Sequence, residues 1–108
     1  MSLRVARRLE RDHGIRCRVL DLRWLSPLPQ ADLLREAEAT GRVLIVDETR
    51  SSGGVSEALC ALLVDAGFQG KIRRLNSPDS FIPLGDAAFQ VLLSEDTILD
   101  AALKIMAP

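Results

Sequence analysis

The 108-residue chain contains a single histidine, His13, and two cysteines, Cys17 and Cys60. One imidazole and two thiols without ligand-like spacing do not supply a tetrahedral zinc site, and they leave histidine-based proton relays without partners. Both cysteines fall inside predicted regular elements and read as small buried hydrophobes. Long apolar runs are missing too. The longest, Ala58 to Val64, is far shorter than the roughly 20 residues that cross a bilayer as a helix. The arginine-rich start is followed by neither a hydrophobic region nor a cleavage site, so no leader is read there. Charge of one sign is also lacking, since 14 basic residues face 15 acidic ones. That balance gives no reason to expect nucleic acid or a membrane as the main partner. The composition fits a cytoplasmic chain, and its length fits one domain spanning residues 1–108.

What is present is organised around Arg42 to Ala66. Val43 to Val46 is an unbroken β-branched and aliphatic run, as expected of a strand covered on both faces. Asp47 and Glu48 are expected to end it. Arg50, Ser51, Ser52, Gly53 and Gly54 then form a polar turn, after which Val55, Leu59, Leu62, Leu63 and Ala66 recur at helical spacing. A strand, a glycine turn and an amphipathic helix make half of a βαβ unit, whose rim is the first place to look for a site. The Val43 to Val46 strand is expected to centre the sheet.

Upstream, Ser2 reads as an N-cap for a helix carrying Leu3, Val5, Ala6 and Leu9 and ending at Gly14. Ile15 to Leu22 alternates and reads as a strand. Trp24 to Pro29 breaks the pattern, because Pro27 and Pro29 favour an extended connection. A helix over 30–40 packs Leu33, Leu34 and Ala37 and stops at Gly41. Downstream, Lys71 to Leu75 reads as a strand and Asn76 to Pro83 as a loop. A short helix follows over Ala87 to Leu93 with Asp86 as its N-cap, and Ser94 caps a last helix carrying Ile98, Ala101, Ala102 and Ile105. Charge is uneven along this order. Arg4, Arg7, Arg8, Arg11, Arg16, Arg18 and Arg23 face only three acids in the same stretch, which is a solvated helix face or a charged seam toward another subunit. The alternation predicts an α/β fold with a mainly parallel sheet covered by helices on both faces.

Several segments carry a family resemblance. They are Leu20-Asp21-Leu22-Arg23 with Leu25-Ser26-Pro27-Leu28, then Thr40-Gly41-Arg42 leading to Val46-Asp47-Glu48, then Arg50 with Gly53-Gly54-Val55 and Glu57. With Asp79-Ser80-Phe81-Ile82-Pro83-Leu84-Gly85 they run in order across almost the whole chain. This pattern resembles the C-terminal domain of the transketolase superfamily, with the nearest likeness to the beta part of the thiamine-diphosphate-dependent decarboxylating component of 2-oxoacid dehydrogenase complexes. The resemblance implies a three-layer α/β/α sandwich and a non-catalytic role in assembly. Its partners would be the remaining domains or subunits of the parent enzyme, a second copy in a homo-oligomer, and in some complexes a dihydrolipoyl acyltransferase core. Thiamine diphosphate and magnesium would be held by other domains, with none bound by this chain. Gly85-Asp86-Ala87 superficially resembles the magnesium-diphosphate motif but lacks its third glycine and downstream asparagine. The domain's opening strand and its glycine have no counterpart here.

The residues themselves leave a second reading. The turn formed by Arg50, Ser51, Ser52, Gly53 and Gly54 could present backbone N–H groups to a small anion in a free-standing module. Against it, there is no Lys-Ser or Lys-Thr of a P-loop and no third glycine at dinucleotide spacing, so the glycines read first as a structural turn. Asp47 and Glu48 are strand neighbours pointing to opposite faces, which suits a cap or salt bridge better than a shared proton. His13 reads as a last-turn partner of the helix dipole. Trp24 reads equally as core cover or as an interface anchor.

Overall fold

The strand that begins at Arg42 is longer than its apolar run. In the computed structural model, which describes residues 1–108, β1 spans Arg42–Arg50 and pairs in parallel with β2, Lys71–Ser77. The ladder is regular from Arg42 opposite Lys71 to Asp47 opposite Asn76, then jumps so that Arg50 lies opposite Ser77. Asp47 and Glu48 therefore do not end the strand. They mark the irregularity through which it continues to the turn.

Four α-helices surround this pair: α1 (Ser2–His13), α2 (Gln30–Thr40), α3 (Val55–Asp65) and α4 (Glu95–Met106). Alternate residues of β1 face opposite sides, and the core divides accordingly. Val43 and buried Ile45 join α2 and α3 through Leu33, Ala37, Leu59 and Leu63. Leu44 and Val46 join α1 and α4 through Val5, Leu9, Ile98 and Ala102. The result is helices, sheet, helices, as expected. No helix is long and apolar enough to cross a membrane.

The helix ends follow local chemistry. Ser94 caps α4, its hydroxyl accepting from the Thr97 N–H at 3.2 Å while Thr97 Oγ1 accepts from the Ser94 N–H at 3.1 Å. Such reciprocal caps contribute about 1 kcal/mol. Met1, rather than Ser2, occupies the N-cap position of α1, whose buried residues are Val5 and Leu9 while Leu3 is exposed.

Four further expectations are corrected. Ile15 to Leu22 is not a strand, and no backbone hydrogen bond ties residues 16–25 to the rest of the chain. Alternation makes a segment suitable for a pleat, but a strand exists only when a neighbour accepts its backbone bonds. The sheet thus has two strands, and β1 is bordered by β2 alone instead of sitting at its centre. Cys17, within that unpaired segment, is exposed instead of buried. Finally, the predicted helix after Asp86 is a 3₁₀ turn over Gly85–Gln90. Leu84 holds its N-cap position and Asp86 makes no cap bond, because the short turn leaves no helical N–H array to cap.

Candidate functional site

The turn between β1 and α3 collects the five singled-out residues, Arg50 to Gly54, and its two glycines serve different ends. Gly53 has φ of 70°, a left-handed conformation that a side chain disfavours. Gly54 is extended, but a Cβ there would lie 2.8 Å from Thr49 Oγ1 and 3.2 Å from the Arg50 carbonyl oxygen. The first glycine turns the chain and the second lets α3 start against the end of β1.

Carboxylates fill the donors of this turn. Asp47 Oδ1 accepts from the Thr49 N–H at 3.0 Å, and its Oδ2 accepts from the Ser56 N–H in the first turn of α3 at 3.3 Å. Glu57 Oε2 accepts from the Gly53 N–H at 2.9 Å. Asp47 is therefore a helix cap, while Glu48 is exposed. Asp79, from the loop after β2, is the third. It accepts from Ser51 Oγ at 2.9 Å, from the Ser52 N–H at 3.0 Å and from Ser52 Oγ at 2.6 Å. The Ser52 hydroxyl, followed by the Ser51 hydroxyl and the Ser52 N–H, holds the Asp79 carboxyl below the usual aspartate range.

Beneath the turn lies a second polar group. Ser56 is wholly buried, and its hydroxyl accepts from Asn76 Nδ2 at 2.9 Å and Arg74 Nη1 at 3.2 Å. Arg74 also donates to the Ser51 carbonyl at 2.9 Å, and Arg50 Nε donates to the Ser52 carbonyl at 3.0 Å. Beside it, burial pushes the Cys60 thiol up, with the Arg74 charge opposing and Glu57 adding to the rise. Ser77, also buried, has a hydroxyl without a hydrogen-bond partner. A cleft of about 440 Å³ opens next to the turn, bordered by Glu48, Arg50, Gly54, Val55, Ser77 and Ser80.

Sequence reasoning missed Asp79, Arg74 and Asn76. They lie twenty or more residues from the turn in sequence, and no local pattern links them to it. The other singled-out residues lie elsewhere. His13 ends α1 in its last turn, as expected. Trp24 is 70% exposed, which removes its reading as core cover. Asp86 is exposed, and no group of three His, Cys, Asp or Glu side chains converges anywhere to ligate a metal. The donor set around Asp86 does not fit a magnesium ion. Chemically, the turn joins two strands and a helix through carboxylates that already accept several N–H and O–H bonds.

Comparison with known proteins matches residues 1–102 to the family described as transketolase, C-terminal domain. Over 86 residues the chain is 41% identical to 1-deoxy-D-xylulose-5-phosphate synthase of Nitratidesulfovibrio vulgaris (strain DP4), covering 78% of this chain and 13% of that protein. Over 108 residues it is 31% identical to pyruvate dehydrogenase E1 component subunit beta of Bacillus subtilis (strain 168), covering 97% of this chain and 33% of that protein. A 35% identity over 102 residues to 1-deoxy-D-xylulose-5-phosphate synthase 1 of Geobacter sulfurreducens covers 94% of this chain and 15% of that protein. The chain thus spans a third or less of the length of these relatives. With the family pattern running through nearly every element described above, this chain belongs to the transketolase C-terminal domain family.

Proposed function

We propose that the chain is a non-catalytic assembly domain of a thiamine-diphosphate-dependent enzyme, and that the parent enzyme is a 2-oxoacid dehydrogenase. The observation that carries the assembly role is a run of apolar side chains left in solvent after β2. Phe81 is 96% exposed, Leu84 95% and Phe89 77%, with Ile82 at 54%. Large apolar side chains this exposed within one short segment mark a surface that another protein covers. The 2-oxoacid assignment draws on the resemblance of the Leu20 to Leu28 and Thr40 to Glu57 segments and on the subunit beta relative from Bacillus subtilis. The synthase relatives support a parent that makes 1-deoxy-D-xylulose 5-phosphate instead. Thiamine diphosphate and magnesium would sit in other domains, and a dihydrolipoyl acyltransferase core is a partner under the dehydrogenase reading alone.

Sedimentation of the purified chain tests the assembly role. Self-association that the double change Phe81→Ser, Leu84→Ser abolishes is expected, with no heat on titration with thiamine diphosphate and magnesium. A monomer at every concentration, or thiamine-dependent turnover of a 2-oxoacid by the chain alone, would overturn it. A second reading places a small anion at Arg50, Ser51, Ser52, Gly53 and Gly54, supported by the cleft that Arg50 and Gly54 border. Inorganic phosphate should then raise the melting temperature, and Arg50→Ala should remove the effect.

A further inference from the structure

The two-stranded sheet leaves the outer edge of β2 without a partner. Along that edge runs an open groove of about 610 Å³, lined by the continuous stretch Ile72 to Pro78 and by Ser51. Its wall is therefore mostly one strand, whose alternate backbone N–H and C=O groups face outward at the spacing an added strand matches. The charge is one-sided. Arg73 and Arg74 line the groove, exposed Lys71 stands at the start of the strand, and no acidic residue is among the lining groups.

We propose that this groove docks an extended acidic polypeptide segment, taken as a further strand beside β2. Charge complementarity selects the occupant. A second copy of this chain offering its own β2 antiparallel would gather both sets of Lys71, Arg73 and Arg74 on one short ladder, with Arg74 opposite Arg74 at full overlap, and like charges facing each other across a ladder are destabilising. Nucleic acid fits poorly, because no aromatic side chain lines the groove to stack a base. An acidic strand instead meets Arg73 in solvent and satisfies the idle backbone groups of β2. Arg74 is already held by Ser51 and Ser56, so Arg73 is the side chain free to read the partner. None of Phe81, Ile82, Leu84 and Phe89, the side chains that carry the assembly role, lines this groove.

Fluorescence anisotropy with a labelled peptide of alternating glutamate and valine tests the proposal on the full chain. Binding is expected, with amide-exchange protection gained across Ile72 to Ser77, and Arg73→Glu should weaken it about tenfold, equivalent to about 1.4 kcal/mol. Arg73 is exposed, so the variant should keep its fold by circular dichroism, and Arg73→Gln serves if it does not. A lysine-valine peptide should not bind. The same glutamate peptide with alternate amides methylated should bind much more weakly, since it cannot complete the ladder. No binding at millimolar peptide, equal binding of the methylated peptide or of a thymidine oligonucleotide, or indifference to the Arg73 changes would each overturn the proposal.

Discussion

Asp79 shows how much one carboxylate can organise. Its three hydrogen bonds tie the loop after β2 to a turn 27 residues earlier, and they favour the ionised form. A depressed folded-state pKa gives a stabilisation that is complete above the ordinary aspartate value of about 3.9 and is lost as pH falls through the lower folded value. The Ser52 amide proton should therefore titrate in NMR spectra with a midpoint below that of a free aspartate, and Asp79→Asn should abolish the titration. A midpoint at the ordinary value would show that the clamp does not hold in solution. Gly54 is the other decisive residue. Gly54→Ala forces a methyl against Thr49 and the Arg50 carbonyl oxygen, and overpacking of this kind costs about 1–3 kcal/mol. Urea unfolding should show a lower midpoint with an unchanged slope. The glycine pair could be read from the sequence as a turn. Its division of labour could not, because one glycine answers to φ and the other to a contact made only after folding.

At the scale of elements, the signal was strongest where a helix buries one stripe. Gln30–Thr40 was legible to the residue, because Pro29 fixes its start and Gly41 its stop. The Ile15 to Leu22 segment misled for the opposite reason: its pattern is local, but pairing depends on a neighbour that the pattern does not specify. The Asp79 loop was legible as a family segment and not as part of the turn. Helix α3 matters most to the core. Leu63 is wholly buried and packs with Leu33, Ala37, Ile45 and Leu59. Leu63→Ala should destabilise the chain by about 2–5 kcal/mol in denaturant unfolding. The neighbouring Leu62→Ala, at a partly buried position, should cost clearly less, and equal losses would argue against the α3 packing described.

Across the whole molecule, only 13 of 108 residues are buried. So thin a core leaves little margin for an isolated domain, whose net stability is a small difference between large terms. The exposed Phe81, Leu84 and Phe89 then represent apolar area still to be withdrawn from water on assembly. If copies associate through them, mass action favours the folded state, and the melting temperature should rise with protein concentration. A calorimetric midpoint that stays fixed across a wide concentration range would count against self-association.

The packing of α1 against α4 also bears on the order in which the chain assembles. Arg4 pairs with Glu95, and Arg8 with Asp96 at 3.0 Å, so contacts 91 and 88 residues apart bring the first and last helices together. β1, α3 and β2, by contrast, form one continuous stretch. Short chain loops close at lower entropic cost than long ones. The β1, α3 and β2 unit can therefore form early, and the two end helices close over its other face last. The polypeptide becomes a ring fastened near its own ends, and fraying of α4 withdraws the main partner of α1, whereas α4 keeps its own packing on β1 and β2.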